Sequence, residues 1–213
     1  GFDKLNLNIE VAHFNFQLRG KESDADEELV KEICYKNNVP FNKNTCDTAT
    51  YASEKGLSIQ EAARELRYSW FFNLLKEKNA DYIVTGHHAD DSIETFFINL
   101  LRGSGIKGLC GIKNTQQIIR PLLPISRLKI GQYAKTNNVY FRNDSSNKSL
   151  KYKRNFIRNK IIPELNKESE ASSSSILKSI GHLAQANEYL EKKLLKDAEK
   201  ITSTSGNTIF IET

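Results

Sequence analysis

The densest group of residues able to do chemistry lies between positions 82 and 105 of this 213-residue chain. Two histidines and three acids follow a short apolar run there: His87, His88, Asp90, Asp91 and Glu94. A histidine can polarise a phosphate or a base, and two carboxylates at helical spacing suit a cation. These residue types predict a site that handles charged substrates.

A strand that ends at this group and a helix that starts within it would position the side chains. The run Tyr82–Val84 is stopped by Gly86, which predicts a short buried strand. Apolar residues at helical spacing then predict a helix with one apolar face: Ile93, Phe96, Phe97, Leu100 and Leu101. Asp91 and Glu94 also fit an N-cap and its capping-box partner, which needs no binding role. Open α/β sheets bind ligands at such crossings, and a helix start favours anions.

In the residues before this strand–helix junction, the hydrophobic patterns predict strands and helices in alternation. The patterns predict a strand over 5–11 that ends at 12–15, a helix over 24–37, a strand over 39–45 and a helix that begins at 58. Strand and helix in regular alternation are typical of a parallel sheet with crossover helices. The predicted fold class is therefore α/β.

The residues after this strand–helix junction include many lysines and arginines. We predict a helix over 126–137, a short strand over 139–141 and a polar loop over 143–147. Residues 148–160 then contain six basic residues and no acidic residue: Lys148, Lys151, Lys153, Arg154, Arg158 and Lys160. Such a run is usually a solvated face, and it can also bind a polyanion.

The last segment predicts a linker and one long helix. Residues 167–175 are polar and serine-rich, and an apolar stripe over 176–201 predicts a helix that packs on a neighbour. A strand is predicted over 208–211, with its partners outside this chain.

Composition narrows the class of protein. No apolar run approaches the ~20 residues that cross a bilayer, and no signal peptide opens the chain. The three cysteines lack metal-ligand spacing, so we expect a cytoplasmic protein with reduced thiols. A net charge of +5 and a pI near 9.0 suit a polyanion partner. Gly1 opens the chain and methionine is absent, which predicts a fragment or missing residues.

Six motifs occur in an order that resembles the tRNA(Ile)-lysidine synthase family, a branch of the PP-loop ATP pyrophosphatases. They are HFNFQLRG (13–20), RELRYSWF (64–71), TGHHADDSIETFFINLLRGSG (85–105), IIRPLLPISR (118–127), NDSSN (143–147) and YKRNFIRNKIIP (152–163). The resemblance implies a Rossmann-like fold of the adenine nucleotide α hydrolase type, followed by a mostly helical segment. It divides the chain into a nucleotide-binding domain (1–125), a basic helical extension (126–166) and a segment that starts a further domain (167–213).

The resemblance implies an ATP-dependent, AMP-forming ligase. Such an enzyme adenylates C2 of the wobble cytidine in a CAU-anticodon tRNA(Ile), and L-lysine then displaces AMP to give lysidine. We expect ATP and magnesium as cofactors, no membrane contact and the ability to form a homodimer. The alternative is a non-catalytic tRNA-binding fragment or a degenerate PP-loop paralogue. A PP-loop tRNA thiolase is less favoured, because it usually brings cysteine pairs for a metal cluster.

Site residues follow from the family motifs. Asp91 and Glu94 match positions that read the lysine ammonium, and Asp91 is also expected among the catalytic residues. His87 is expected to act at ATP and in catalysis, whereas His88 is favoured as structural. Asp90 is a candidate magnesium ligand, with a solvated first-turn acid as the alternative.

Cations and strand-end residues complete the expected site. Arg67 and Arg102 match family arginines and are expected to grip phosphate oxygens, and Arg64 has a weaker claim. The family holds adenine largely through backbone groups at the end of the first strand: His13, Phe14 and Asn15. Phe16 stands where the family commonly has histidine. A third group is predicted to contact either tRNA or ATP phosphate, without a choice between them: Arg154, Asn155 and Arg158.

One expected feature is missing from the sequence. PP-loop enzymes open with a strand, an SGGxDS-type phosphate loop and a helix, and no such loop occurs here. A phosphate site needs backbone N–H groups that converge on the anion. We therefore expect the chain as given to bind ATP poorly and to be inactive without that loop.

Overall fold

A computed structural model describes residues 7–142, 153–169, 171–205 and 208–211. The chain forms two compact units, one ending at Ile83 and the other beginning at Val84. No helix among the described residues is long and apolar enough to cross a membrane.

The first unit contains a strand–helix–strand crossover followed by two helices. Its elements are β1 (Val11–Asn15), α1 (Lys21–Lys36), β2 (Phe41–Thr45), α2 (Thr48–Lys55) and α3 (Ile59–Glu77). β1 and β2 pair in parallel, in a register that runs from Val11 opposite Phe41 to Asn15 opposite Thr45. The prediction of an α/β fold with parallel strands and a crossover helix is confirmed.

Local sequence explains the helix ends in this unit. The Asp47 carboxylate accepts from the N–H groups of Ala49 and Thr50, both at 3.1 Å, and so caps α2. Ser58 and Glu61 form a capping box at the start of α3, the helix predicted to begin at 58. The first unit packs around the buried side chains of Phe14, Ala52, Ala62 and Leu75.

The second unit is mostly helical. A short strand, β3 (Ile83–Val84), pairs with β4 (Ile118–Ile119). The helices are α4 (Ala89–Leu100), α5 (Ile106–Leu109), α6 (Arg127–Thr136), α7 (Lys153–Phe156), α8 (Ile162–Glu168) and α9 (Ser172–Ile201). A π-helical turn, Ile157–Ile161, joins α7 to α8, and β5 (Thr202–Ser205) pairs antiparallel with β6 (Thr208–Ile211).

The core of the second unit holds the basic segment, described here over residues 153–160, against α4. Ile93 of α4, Ile157 of the π-helical turn and Ile162 of α8 form one buried cluster. Partly buried side chains pack around it: Phe97, Ile98, Ile161, Ile176 and Leu177. Full burial of one such side chain stabilises the fold by about 2 kcal/mol. This cluster fixes the position of α7 relative to α4.

Several predicted boundaries are wrong. β1 begins at Val11, and residues 7–10 are not a strand, while positions 5–6 lie outside the described residues. The predicted strand over 139–141 is not formed. α4 begins at Ala89, so Asp91 is its third residue and not its N-cap. The predicted loop over 143–147, together with Lys148 and Lys151, lies outside the described residues.

The predicted linker is mostly helix. α8 continues to Glu168, and α9 already begins at Ser172. Serine hydroxyls at the start of α9 donate hydrogen bonds to α8. Ser172 donates to the Leu165 carbonyl at 2.7 Å, and Ser173 donates to the Asn166 side-chain oxygen at 2.9 Å. The predicted strand over 208–211 is confirmed, but its partner β5 lies within the chain.

Candidate functional site

The start of α4 is held by its own acids. The His88 N–H donates to Oδ2 of Asp91 at 2.9 Å, as an N3 carboxylate does in a capping box. His88 Nδ1 lies 3.5 Å from the same oxygen and has no hydrogen-bond partner within the described part of the chain. Oδ2 of Asp90 accepts from the Arg127 N–H at the start of α6, at 2.8 Å, and lies 3.8 Å from His88 Nδ1.

Two arginines of the basic segment converge on Glu94. Arg154 Nε donates to Oε2 of Glu94 at 2.6 Å, and Arg158 donates from Nε to Oε1 at 2.6 Å and from Nη2 to Oε2 at 2.9 Å. The Nη2 atoms of both arginines also reach Oδ1 of Asp91, at 3.1 and 3.3 Å. We call these four residues the arginine–carboxylate cluster: Asp91, Glu94, Arg154 and Arg158.

Helical spacing builds this cluster. Asp91 and Glu94 lie three residues apart on α4, while Arg154 and Arg158 lie four apart, so each pair shares one helix face. Glu94 is fully buried, and the cluster holds two carboxylates and two guanidinium groups. Charges removed from water need such pairing, because desolvation is costly.

Electrostatics at Arg158 favour the charged form. Burial alone lowers its pKa, but the hydrogen bond to Glu94 and the charges of Glu94, Asp91 and Asp90 outweigh burial and raise the pKa above its usual value. The guanidinium is therefore a permanent cation in this cluster.

His87 is oriented by the residue at the end of β3. Its Nδ1 lies 2.8 Å from the Thr85 hydroxyl, while the Thr85 N–H donates to the Ile119 carbonyl at 3.0 Å. This contact fixes the orientation of the imidazole ring. Arg102 lies just beyond α4, where its side chain is exposed and Gly103 turns the chain with a φ of +70°.

The strand-end residues of the first unit form a polar group of their own. Asn15 is 4% exposed, and its amide donates to Asp24 at 3.2 Å and to Glu27 at 3.0 Å. Its carbonyl oxygen accepts from the Gln17 N–H at 3.0 Å. Burial lowers the pKa of His13, an effect that the nearby charges of acids including Glu27 oppose. These side-chain bonds orient the backbone at the end of β1.

Arginine and aromatic side chains stack on α3. The Arg67 guanidinium lies 5.7 Å from the ring centres of Phe16 and Tyr68, and that of Arg64 lies 4.8 Å from the Tyr68 ring. The rings of Phe16 and Phe14 stack at 4.8 Å. The Phe16 ring thus makes a cation–π contact with the Arg67 guanidinium.

The pairing of the two acids with the two arginines was not foreseen. Sequence reasoning assigned Asp91 and Glu94 to one ligand and Arg154 and Arg158 to another. The signal for this pairing in the sequence is opposite charge at helical spacing. The two acidic residues are three positions apart and the two arginines are four positions apart. Asn155 lies between the arginines on α7. Among the described residues, no three His, Cys, Asp or Glu side chains are grouped to hold a metal.

The chain matches a protein-family model and several named relatives over most of its length. Residues 2–165 match the family model of the PP-loop domain. The tRNA(Ile)-lysidine synthase of Porphyromonas gingivalis W83 is 38% identical over 97% of this chain, and that of Chlorobaculum tepidum is 41% identical over 98%. The alignments cover 46% and 64% of those relatives, so the chain spans about half to two thirds of their length.

A solved structure shares the fold. The U34-tRNA thiolase NcsA from Methanococcus maripaludis, solved with its [4Fe-4S] cluster, superposes with a TM-score of 0.66 at 16% identity. The match covers 84% of this chain and 62% of the thiolase. This likeness confirms the predicted fold.

Proposed function

Because this chain belongs to the PP-loop domain family, we propose that, together with an SGGxDS-type phosphate loop, it carries out the ATP-dependent ligation of L-lysine to C2 of the wobble cytidine in a CAU-anticodon tRNA(Ile). One observation carries the proposal: relatives named tRNA(Ile)-lysidine synthase align with 97–98% of the chain. The aligned length includes all the residues of the candidate site.

The reaction has two steps. The C2 oxygen of the cytidine first attacks the α-phosphate of ATP, which forms an O–P bond and releases pyrophosphate. The ε-amine of lysine then attacks C2, which forms a C–N bond and breaks the C–O bond to AMP. Both steps develop negative charge on phosphate oxygens, and nearby cations stabilise such charge.

We assign the phosphate contacts to Arg67 and Arg102, because a guanidinium can bind two phosphate oxygens at once. His87 would polarise a phosphate or base through its imidazole ring, which the Thr85 hydroxyl orients. The backbone of residues 13–15 would receive adenine. Magnesium would neutralise phosphate charge, and Asp90 is its candidate ligand, because magnesium often takes one carboxylate plus substrate phosphates.

We assign the lysine ammonium to Asp91 and Glu94, and tRNA or ATP phosphate to Arg154, Asn155 and Arg158. A buried carboxylate pair favours an amine that arrives charged. The arginines carry the polyanion contact expected of a basic segment. The reaction takes place in the cytoplasm, where tRNA and free lysine meet, and the partners that the proposal allows for include a second copy of the protein.

The test is transfer of labelled lysine to a CAU-anticodon tRNA(Ile) in the presence of ATP and magnesium. We expect incorporation into this tRNA and none into the CAU-anticodon tRNA(Met). Asp91→Asn should weaken lysine use more than ATP binding, because it removes a charge that meets the amine. Binding of tRNA without any lysine transfer, by the full-length protein, would favour the non-catalytic alternative.

A further inference from the structure

We propose that substrate lysine displaces Arg154 from the arginine–carboxylate cluster, so that lysine binding releases a guanidinium for phosphate. This exchange rests on the proposed lysine site at Asp91 and Glu94. It couples occupancy of that site to polyanion binding by α7.

Every carboxylate oxygen of the cluster already accepts a hydrogen bond. Both oxygens of Glu94 already accept arginine donors, one from Arg158 alone and one from both arginines. Oδ1 of Asp91 accepts from both arginines, and Oδ2 accepts from the His88 N–H. Two positive and two negative charges cancel, so an added ammonium would meet a neutral, occupied site. Lysine therefore competes with an arginine donor for these oxygens.

Arg154 is the donor that can leave. It makes two bonds to the carboxylates, and 37% of its side chain is exposed. Arg158 makes three such bonds, is 19% exposed and adjoins the fully buried Ile157. Removal of Arg154 therefore breaks fewer bonds and needs no rearrangement of the core.

The exchange keeps the charge balance of the cluster. A lysine ammonium can replace the two Arg154 bonds with its own donors, and one ammonium compensates for one guanidinium. The released Arg154 stays on α7 beside Lys153 and Asn155, where it adds a cation to a basic surface. Linkage then requires that polyanion binding and lysine binding strengthen each other by the same factor.

The experiment measures lysine affinity by calorimetry, with and without a CAU anticodon stem-loop RNA. Arg154→Ala should bind lysine more tightly than the wild type, by about tenfold within the usual range of couplings, because the competitor is gone. The stem-loop should tighten lysine binding to the wild type and leave the variant unchanged. Lys153→Ala, an exposed base on the same helix, is the matched control and should keep the wild-type lysine affinity.

A second variant guards against a folding defect. Arg154→Lys supplies an ammonium at the same position and should restore competition, so its lysine affinity should fall below that of Arg154→Ala. Nε-acetyl-lysine, which lacks the side-chain ammonium, should bind none of these proteins. Unchanged or weaker lysine affinity in a folded Arg154→Ala would overturn the exchange alone. No lysine binding by any protein, with RNA still bound, would overturn the proposed lysine site together with the exchange.

Discussion

Arg154 Nε lies 2.6 Å from Oε2 of Glu94, a fully buried carboxylate 60 positions away along the chain. The contact joins the basic segment to the first turns of α4, next to the hydrophobic cluster around Ile93 and Ile157. A buried acid depends on its partners, because an unpaired charge in a low-dielectric interior is strongly destabilising.

Glu94→Gln should therefore destabilise the second unit. The amide keeps the shape of the side chain but leaves two guanidinium groups without a compensating charge. Loss of one partner from a buried pair costs about 3 kcal/mol, and we expect a loss of that order in the free energy of unfolding. Urea unfolding followed by circular dichroism measures it.

Glu164→Gln on α8 is the matched control for that substitution. Glu164 pairs with Lys167 at 2.7 Å, but both side chains are about two thirds exposed. Exposed pairs contribute about 0.5 kcal/mol or less, so this variant should unfold close to the wild type. Equal losses from the two substitutions would contradict the stabilising role of the buried cluster.

Ser58→Ala should weaken the start of α3. Ser58 Oγ accepts from the Glu61 N–H at 3.3 Å, and the Glu61 carboxylate accepts from the Ser58 N–H at 3.1 Å. Loss of an N-cap typically costs about 1 kcal/mol. Trp70 on the same helix is the chain's one tryptophan, so its fluorescence follows unfolding of the first unit. Ser53→Ala, an exposed position within α2, should leave the transition unchanged.

Sequence patterns predicted the elements of this fold better than their limits. The crossover from β1 to β2 and the capping box of α3 follow from local signals that short windows contain. The strand predicted over 139–141 failed, because three apolar residues show strand propensity without showing whether a neighbouring strand is available. The serine-rich composition of residues 172–175 predicts a linker, although serine can begin a helix when its hydroxyl finds an acceptor.

The candidate site shows the same limit. The sequence places Asp91 and Glu94 on one helix face and Arg154 and Arg158 on another. Which acid meets which base depends on tertiary packing, here through Ile93 and Ile157. Residue type and spacing therefore place each pair on one helix face, while the fold determines how the two pairs meet.

Glu27 should make the stability of the first unit depend on pH. Hydrogen bonds from Lys43, at 2.6 Å, and from Asn15 lower its pKa from the ordinary value of 4.5. A lowered folded pKa stabilises the fold above the unfolded pKa, and this contribution is lost as the pH falls through the folded pKa. The wild type should therefore exceed Glu27→Gln in stability near neutral pH, and the difference should shrink as the pH falls below about 4.5 and vanish only below the lowered folded pKa.

Trp70 fluorescence during thermal unfolding at several pH values measures this difference. Glu32→Gln is the control, since Glu32 is exposed and its contact with Lys36 is 4.0 Å long. That variant should follow the wild-type curve at each pH. A constant gap between the wild type and Glu27→Gln in strong acid would show that the loss comes from packing and not from ionisation.

Gly111→Ala should destabilise the chain more than Gly56→Ala, although both glycines have a φ of +64°. An added Cβ at Gly56 meets nothing within 4 Å, so only the left-handed conformation, about 1 kcal/mol, opposes it. At Gly111 the Cβ would lie 3.1 Å from Cγ2 of Ile180 and 3.3 Å from Cβ of Ser92, and overpacking adds about 1 to 3 kcal/mol. Urea unfolding compares the two, and Ile180→Ala should partly rescue Gly111→Ala because contacting residues couple. Strictly additive losses in that double mutant would mean that α9 does not press on this turn.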